Sequence, residues 1–432
     1  MSAQPAPLSD IRADVVVIGT GLIGATLAVA LASAGVSVVA IDRLSSSAMT
    51  DMRFDGRTTA IAWGARRALS CIGVWEALAP RAEPILDIRI SDGRLAPDRA
   101  IAATSLLHLH FDHREAGEAA TRPPAMGYIV ENRHMRLALF QRLAALPLAA
   151  LLAPATIARV ERGEHGVEAT LGDGRVVRAA LVVSAEGRGG GGLRESAKIK
   201  VGGWGYDQTA IVCVAGHERP HRGVAQEKFL PGGPFAILPM TDEEAGTHRS
   251  SIVWSERSDL AMALLALDDA SFAREFAARF GDHLGAVAPV GPRFHHPLAL
   301  SQAERYVDRR LALVGDAAHA IHPIAGQGWN LGLRDVAALA EVVVDAKRLG
   351  LDIGGANTLE AYESWRRVDN LALLAATDAL NRLFSNDIPP VRVLRDLGLA
   401  AVNQVAPLRR FFMRHAMGMV GDLPKLVRGE PL

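Results

Sequence analysis

A chain of 432 residues with 49% hydrophobic content can bury a substantial core and divide into two or three structural units. Its 47 basic and 47 acidic side chains balance, which argues against a nucleic-acid-binding basic surface and against an acidic solvating tail. Cys71 and Cys213 lie far apart in sequence and form no C-x-x-C pair, so the expectation is a reducing compartment, no disulfide framework, no metal site, and two small buried apolar residues.

In chain order, residues 1–12 are polar and proline-containing, without the apolar core of a signal peptide. No apolar run reaches the length of a bilayer span. Residues 14–18 (DVVVI) predict a buried parallel strand, 25–34 a helix stopped by Gly35, and 36–41 a second buried strand. This strand–turn–helix–strand unit is a right-handed crossover. Further on, 171–175 (LGDGR) predicts a hairpin turn, and 181–185 another buried strand. Four strand-like runs between 209 and 255 predict a mainly antiparallel sheet inserted between α/β parts. Residues 311–314 return to a buried strand, and 332–349 predict a long helix. The chain from 358 onward is helical, with a break at Pro389 and Pro390.

Two stretches carry chemistry. Gly19, Gly21 and Gly24 fit G-x-G-x-x-G after a strand and at the opening of a helix. Gly19 permits the tight turn, Gly21 clears space for a pyrophosphate, and Gly24 lets helix and strand approach. The helix N-terminus favours the phosphate charge. Asp42, ending the next strand, can accept hydrogen bonds from ribose hydroxyls. The unit alone does not separate NAD from FAD, and a ligand-free glycine turn is the plain alternative. Residues 187–192 (GRGGGG) match the same pattern, but the following LRESAKIKVGG is too short and polar for the required helix and strand, so a loop is expected there.

The second stretch is 311–335. A strand runs into Gly315-Asp316, where a carboxylate can hold a chain of hydroxyls. Pro323, Gly326 and Gly328 bend a loop, and a helix starting near Asn330 could face a ring carbonyl. His319 and His322 lie in this loop and read chiefly as hydrogen-bonding residues that hold it, with a phenol-directed base as the alternative. His295-His296 lacks a metal-spaced partner and reads as structural. His108, His110 and His113 alternate with Leu109 and Phe111, the pattern of a half-exposed strand rather than a metal tract.

Residues 311–335, with FDGR (54–57), GYIVENR (127–133), QEKFLPGGPFAILPM (226–240), HPIAGQGWNLGLRD (322–335) and RRVDN (366–370), resemble the group A flavoprotein monooxygenases of the p-hydroxybenzoate hydroxylase fold. Within these the similarity is closest to the ubiquinone-biosynthesis ring hydroxylases. The resemblance implies an α/β protein: a Rossmann-like FAD-binding domain (1–75, 119–200 and 293–349), an inserted mainly antiparallel β-sheet substrate domain (76–118 and 201–292), and a helical C-terminal part (350–432). It implies FAD, with Gly19, Gly21 and Gly24 on the pyrophosphate and Asp42 on the adenosine ribose. Arg43 and Arg57 become candidates for the phosphate or flavin edge. Asn132, Arg133 and Arg136 stand together on the following helix. Asp316 would take the ribityl chain, and Pro323, Gly326, Gln327, Gly328 and Asn330 would line the ring.

The implied reaction is hydroxylation, through a flavin hydroperoxide, of a polyprenylated phenol by O2. An external donor, NAD(P)H or a redox protein, supplies electrons, and no catalytic side chain is assigned. Two departures stand out: Glu186-Gly187 followed by four glycines where the family has Asp-Gly and a Ser- and Arg-containing turn, and Trp329 where a smaller apolar residue is usual. A hydroxylase of small soluble aromatics and a non-catalytic FAD- or lipid-binding accessory protein remain alternatives. The expected location is cytoplasmic. Membrane contact, a biosynthetic complex and homo-oligomerisation stay open, and residues 408–419 (LRRFFMRHAMGM) fit an anionic membrane surface, a capping helix or an oligomer contact alike.

Overall fold

A strand covered on both faces must be apolar throughout, and Val15–Ile18 is: all four residues are β-branched and buried. In the computed structural model, which describes residues 10–95, 101–102, 108–117, 123–189, 192–243, 246–384, 398 and 401–432, this strand is central to a six-stranded sheet. It pairs in parallel with Val38–Ile41 and Leu181–Ser184. Ala149–Leu152 and Leu311–Leu313 extend the sheet in parallel, and Val307–Asp308 closes one edge antiparallel. Helix Leu22–Ser33 makes the crossover, and its residues from Gly24 to Ala32 are all buried. Such a helix is wrapped on every side, here by the sheet and by helices Asn132–Ala144 and Gly328–Arg348. Small side chains make that possible. A Cβ on Gly24 would lie 1.8 Å from the Gly19 carbonyl oxygen.

The larger, eight-stranded sheet runs from His319–Ala320 through Val287–Ala303, Val201–His217, His248–Arg257, Gly233–Met240 and Val224–Leu230 to Asp87–Asp92 and His108–Asp112. Its neighbours are antiparallel except for the parallel pair Val224–Leu230 and Asp87–Asp92. Strand period decides what each face does. Phe235 and Ile237 point into an aromatic core with Trp254, Phe272, Phe276 and Phe280, covered by helix Asp269–Phe280. Ala236 and Leu238, one residue out of phase, line a large cavity on the opposite face. A small antiparallel sheet, Thr58–Ala62, Gly127–Glu131 and Glu83–Ile85, bridges the two halves.

The predicted buried strands, the crossover helix and the hairpin at 171–175 are all present. The helix expected from residue 332 begins earlier, at Gly328. Strand Val287–Ala303 was not anticipated, because Pro289, Pro292 and Pro297 argue against a strand; Pro292 and Pro297 fall at register shifts opposite residues 212–214 and 205–209, while Pro289 pairs in register with Ala215. The segment after the glycine run folds as one short helix, Gly192–Ser196, leading into the antiparallel sheet. Gly190 and Gly191, Pro389 and Pro390, and residues 1–9 lie outside the described residues.

The C-terminal part contains helices Ala356–Phe384, Ala406–Ala416 and Lys425–Arg428. The last returns to the half built on the six-stranded sheet and places Leu426 and Val427 in its core. Cys213 is buried and Cys71 partly so; both are free thiols, and burial pushes the Cys213 thiol up to about 12. Among the described residues no helix is long and apolar enough to cross a membrane.

The two glycines separate packing from ligand space. Gly24→Ala must displace the Gly19 backbone and is expected to cost about 1–3 kcal/mol, read as a lower urea midpoint. Gly21→Ala, with no atom within 4 Å of its added Cβ, should leave the midpoint unchanged.

Candidate active site

Open α/β sheets place ligands beyond the carboxyl ends of their strands. There the chain turns at Gly19 (φ +90), where a Cβ would fall 2.6 Å from the Ala185 carbonyl oxygen. Helix Leu22–Ser33 then starts with no capping side chain and no acidic residue in its first turn. Its first N–H groups are therefore available to an anion, and Gly21 faces open space. Asp42 is fixed beside this turn. Its Oδ2 accepts from the Thr20 N–H (2.7 Å) and hydroxyl (3.0 Å), and its Oδ1 accepts from the Leu44 N–H (2.9 Å).

Gly21, Asp42, Arg57, Asn132, Arg136, Asp316, Pro323, Gly326, Gln327, Gly328 and Asn330 all line one cavity of 1990 Å³. Gly19 and Gly24 shape the turn behind it. Arg43 does not reach the cavity; it lines a shallow separate recess with Pro154 and Asp173. Asp42 and Leu44 on either side of it line the cavity, and the bend between them, closed by the Leu44 N–H on Asp42 Oδ1, leaves Arg43 outside. Asp55, which sequence reasoning passed over, gathers two of the arginines: its Oδ2 accepts from Arg57 (3.0 Å) and Arg136 (2.9 Å). Asn132 accepts from the Thr59 hydroxyl (2.7 Å). Arg133 instead donates to the Met52 carbonyl (2.8 Å).

Asp316 is open to the cavity but ringed by protein, and this desolvation raises its carboxyl above the ordinary range. Asn330 spends its amide on holding the loop: Oδ1 accepts from the Ala62 N–H, and Nδ2 donates to the Ala60 carbonyl, each at 2.9 Å. Glu186 bonds the ends of its own loop, accepting from the Ser184 hydroxyl at 2.9 Å. Arg188 and Trp329 add to the cavity wall.

Behind the loop sits Asp335, fully buried. Its Oδ2 accepts from the Gly315 N–H (3.1 Å) and His319 Nε2 (2.5 Å); its Oδ1 accepts from Arg366 Nε (3.0 Å) and Asn370 Nδ2 (3.1 Å). Burial alone would raise this carboxyl, but His319 and Arg366 outweigh it and hold it down to about 2. His319 thus has the loop-holding role. His322 does not: both its ring nitrogens are buried without a hydrogen-bond partner, and burial lowers its pKa to about 4. Neither histidine is among the residues lining the cavity. The Asp335 cluster was missed as a unit, although Arg366, Asp369 and Asn370 at i, i+3 and i+4 of a helix share one face. His295 and His296 are exposed. Leu109 and Phe111 are buried beside a half-exposed His110, as the alternation predicted; the side chain of His108 lies outside the described residues.

An apolar part of the cavity wall comes from the eight-stranded sheet and C-terminal helices: Ile88, Ile90, Phe111, Phe229, Leu238 and Phe384 among others. A site for one small molecule spans about 300–1,000 Å³, so the volume accommodates a dinucleotide and a second ligand together. The uncapped helix start, the open space at Gly21 and the desolvated Asp316 fit FAD.

Comparison with known proteins agrees. The FAD binding domain family matches residues 12–370. The chain is 54% identical to the ubiquinone hydroxylase UbiL of Rhodospirillum rubrum over 98% of its own length and 94% of that protein. It is 33% identical to the 3-demethoxyubiquinol 3-hydroxylase of Escherichia coli, covering 94% and 98%. The crystal structure of p-nitrophenol 4-monooxygenase PnpA from Pseudomonas putida superposes with a TM-score of 0.73 at 18% identity, covering 96% of this chain and 99% of that one, and so shares the fold. Fold and site define an FAD-dependent monooxygenase. The chain belongs to the FAD-dependent ubiquinone hydroxylase family.

Two substitutions probe the buried groups. Asp335→Ala strands Arg366 in the interior and is expected to cost about 3–5 kcal/mol in urea unfolding. His322 resists protonation when folded but takes a proton near its ordinary value, about 6.5, when unfolded. The folded state therefore loses stability as pH falls from about 6.5 toward 4. Urea titrations at neutral pH and near pH 5 should show His322→Leu losing about 2 kcal/mol less than the parent over that interval; equal losses would refute the assignment.

Proposed function

We propose that the protein hydroxylates the aromatic ring of a polyprenylated phenol intermediate in ubiquinone biosynthesis. The observation that carries this is the continuity of one cavity, from the glycine turn past the 323–330 loop into an apolar lobe. The names of the relatives support the same substrate class.

In this reading the Gly19–Gly24 turn and helix start bind the FAD pyrophosphate. Asp42 accepts from the ribose hydroxyls and Asp316 from the ribityl hydroxyls. Pro323, Gly326, Gln327 and Gly328 orient the ring, with Asn330 pinning their loop to strand Thr58–Ala62. Bound FAD supplies reductive activation of O2 and transfer of one oxygen atom to the substrate. The chain contributes binding, orientation and a dry pocket: Phe111, Phe229, Leu238 and Phe384 exclude water from the phenol and receive the start of its tail. Neither loop histidine is assigned as base, since His319 is held by Asp335 and His322 does not line the cavity. The substrate-binding part comprises residues 76–118 and 201–292, and the electrons come from an external donor, a reduced nicotinamide or a redox protein.

Purified protein titrated with FAD, then with phenols with and without a prenyl tail, tests this. The expected result is a flavin spectrum perturbed by the prenylated phenol and, on reduction in air, hydroxylated product formed preferentially from it. Gly21→Val and Asp316→Ala should each weaken FAD binding about tenfold or more, ~1.4 kcal/mol, without unfolding. Folded protein that binds no FAD would overturn the reading, and equal turnover of untailed phenols would replace the substrate class.

A further inference from the structure

Helix Ala406–Ala416 is built the wrong way round for a capping helix. A helix on a globular protein turns its apolar stripe inward and its charges outward. Here Met413 is buried, and Arg409 turns in to pair with Glu115, its Nε 2.9 Å from Oε2. Those two contacts anchor the helix. The apolar stripe instead lies open: Leu408 is 38% exposed, Phe411 50% and Phe412 42%, and Val405 just before the helix is 48% exposed. Phe411 and Phe412 line the cavity, whereas Val405 and Leu408 do not. The stripe therefore runs from the cavity wall onto the outer surface. Leu380, on the neighbouring helix, also lines the cavity and is 42% exposed.

Alongside the stripe stand Arg410 and Arg414, at i and i+4 on the outer side. Both are exposed, and neither has an acidic partner among the described residues. No acidic residue occurs within the helix (APLRRFFMRHA). An outward apolar stripe beside unpaired arginines is the composition of a helix that lies in a lipid–water interface, and its arginines complement anionic headgroups.

We propose that this helix seats the cavity mouth on an anionic phospholipid surface, with Val405, Leu408 and the outer edges of Phe411 and Phe412 among the acyl chains and Arg410 and Arg414 on the headgroups. Resting on the substrate reading above, this lets a prenylated phenol pass from bilayer to cavity between Phe411, Phe412 and Leu380 without its tail crossing water.

The test uses full-length, FAD-loaded protein in vesicle flotation, with phosphatidylcholine alone or with about a third phosphatidylglycerol. The protein should float with the anionic vesicles and detach as salt rises. Arg410→Gln/Arg414→Gln should partition roughly tenfold or more weakly, and Leu408→Asp should also lose binding. Both should keep the parent's flavin spectrum, melting temperature and turnover of a water-soluble short-chain phenol. Equal partitioning to neutral and anionic vesicles, variants that float like the parent, or a self-associated form that buries this face and binds no vesicles would each overturn the proposal. Flotation is read without turnover. Failure of the hydroxylase reading would appear only in the short-chain assay, and failure of the lipid surface only in flotation.

Discussion

One buried carboxylate ties the catalytic half of this molecule together. Asp335 accepts four hydrogen bonds from three separate parts of the chain: Gly315 where the strand ends, His319 in the loop beyond it, and Arg366 and Asn370 on the C-terminal helix. A lone carboxylate there would be costly to bury, whereas a fully satisfied one fixes its partners. The network continues outward, because Arg366 also bonds Asp369 (2.6 Å), and Asp369 bonds Arg334 (2.8 Å) on the cavity wall. Asp316, immediately after Gly315, thus projects into the cavity from a turn that cannot shift without disturbing three elements.

The cavity follows from two simpler constraints. Glycine clears the backbone at one end, where a Cβ at Gly19 or Gly24 would collide with chain while one at Gly21 would meet only open cavity. Strand period supplies the other end, because residues that alternate with the aromatic core are forced onto the opposite face. The same sheet is therefore both the wall of a packed domain and the apolar surface of a binding lobe. His319 holds the loop rather than serving a proton relay, which accords with a reaction whose difficult chemistry belongs to the cofactor.

Much of this was legible in the sequence. Hydrophobic strand runs, the crossover helix and the glycine spacing depend on local rules, and the chain obeys them. The residues expected around the cofactor converge on one cavity because strand ends and glycine turns fix their positions locally. Arg43 departs because the chain bends just after the strand ends, with Asp42 and Leu44 on the cavity side. Two kinds of information were not local. Strand Val287–Ala303 carries three prolines, two of which fall at register shifts against its partner. The Asp335 cluster gathers side chains up to 35 residues away from that carboxylate, and a pattern on a single helix does not reveal what it faces. His322 shows the converse: a polar residue in a functional loop read as a hydrogen-bonding one, yet it is buried without a partner.

The Asp335 network holds, from outside the cavity, the turn that carries Asp316. Arg366 does not line the cavity, so FAD affinity of Arg366→Met, measured by flavin fluorescence on protein shown to be folded by circular dichroism, tests it directly. A loss of about tenfold or more, ~1.4 kcal/mol, is expected through release of the Gly315–His319 turn. Unchanged affinity in a folded variant would contradict it.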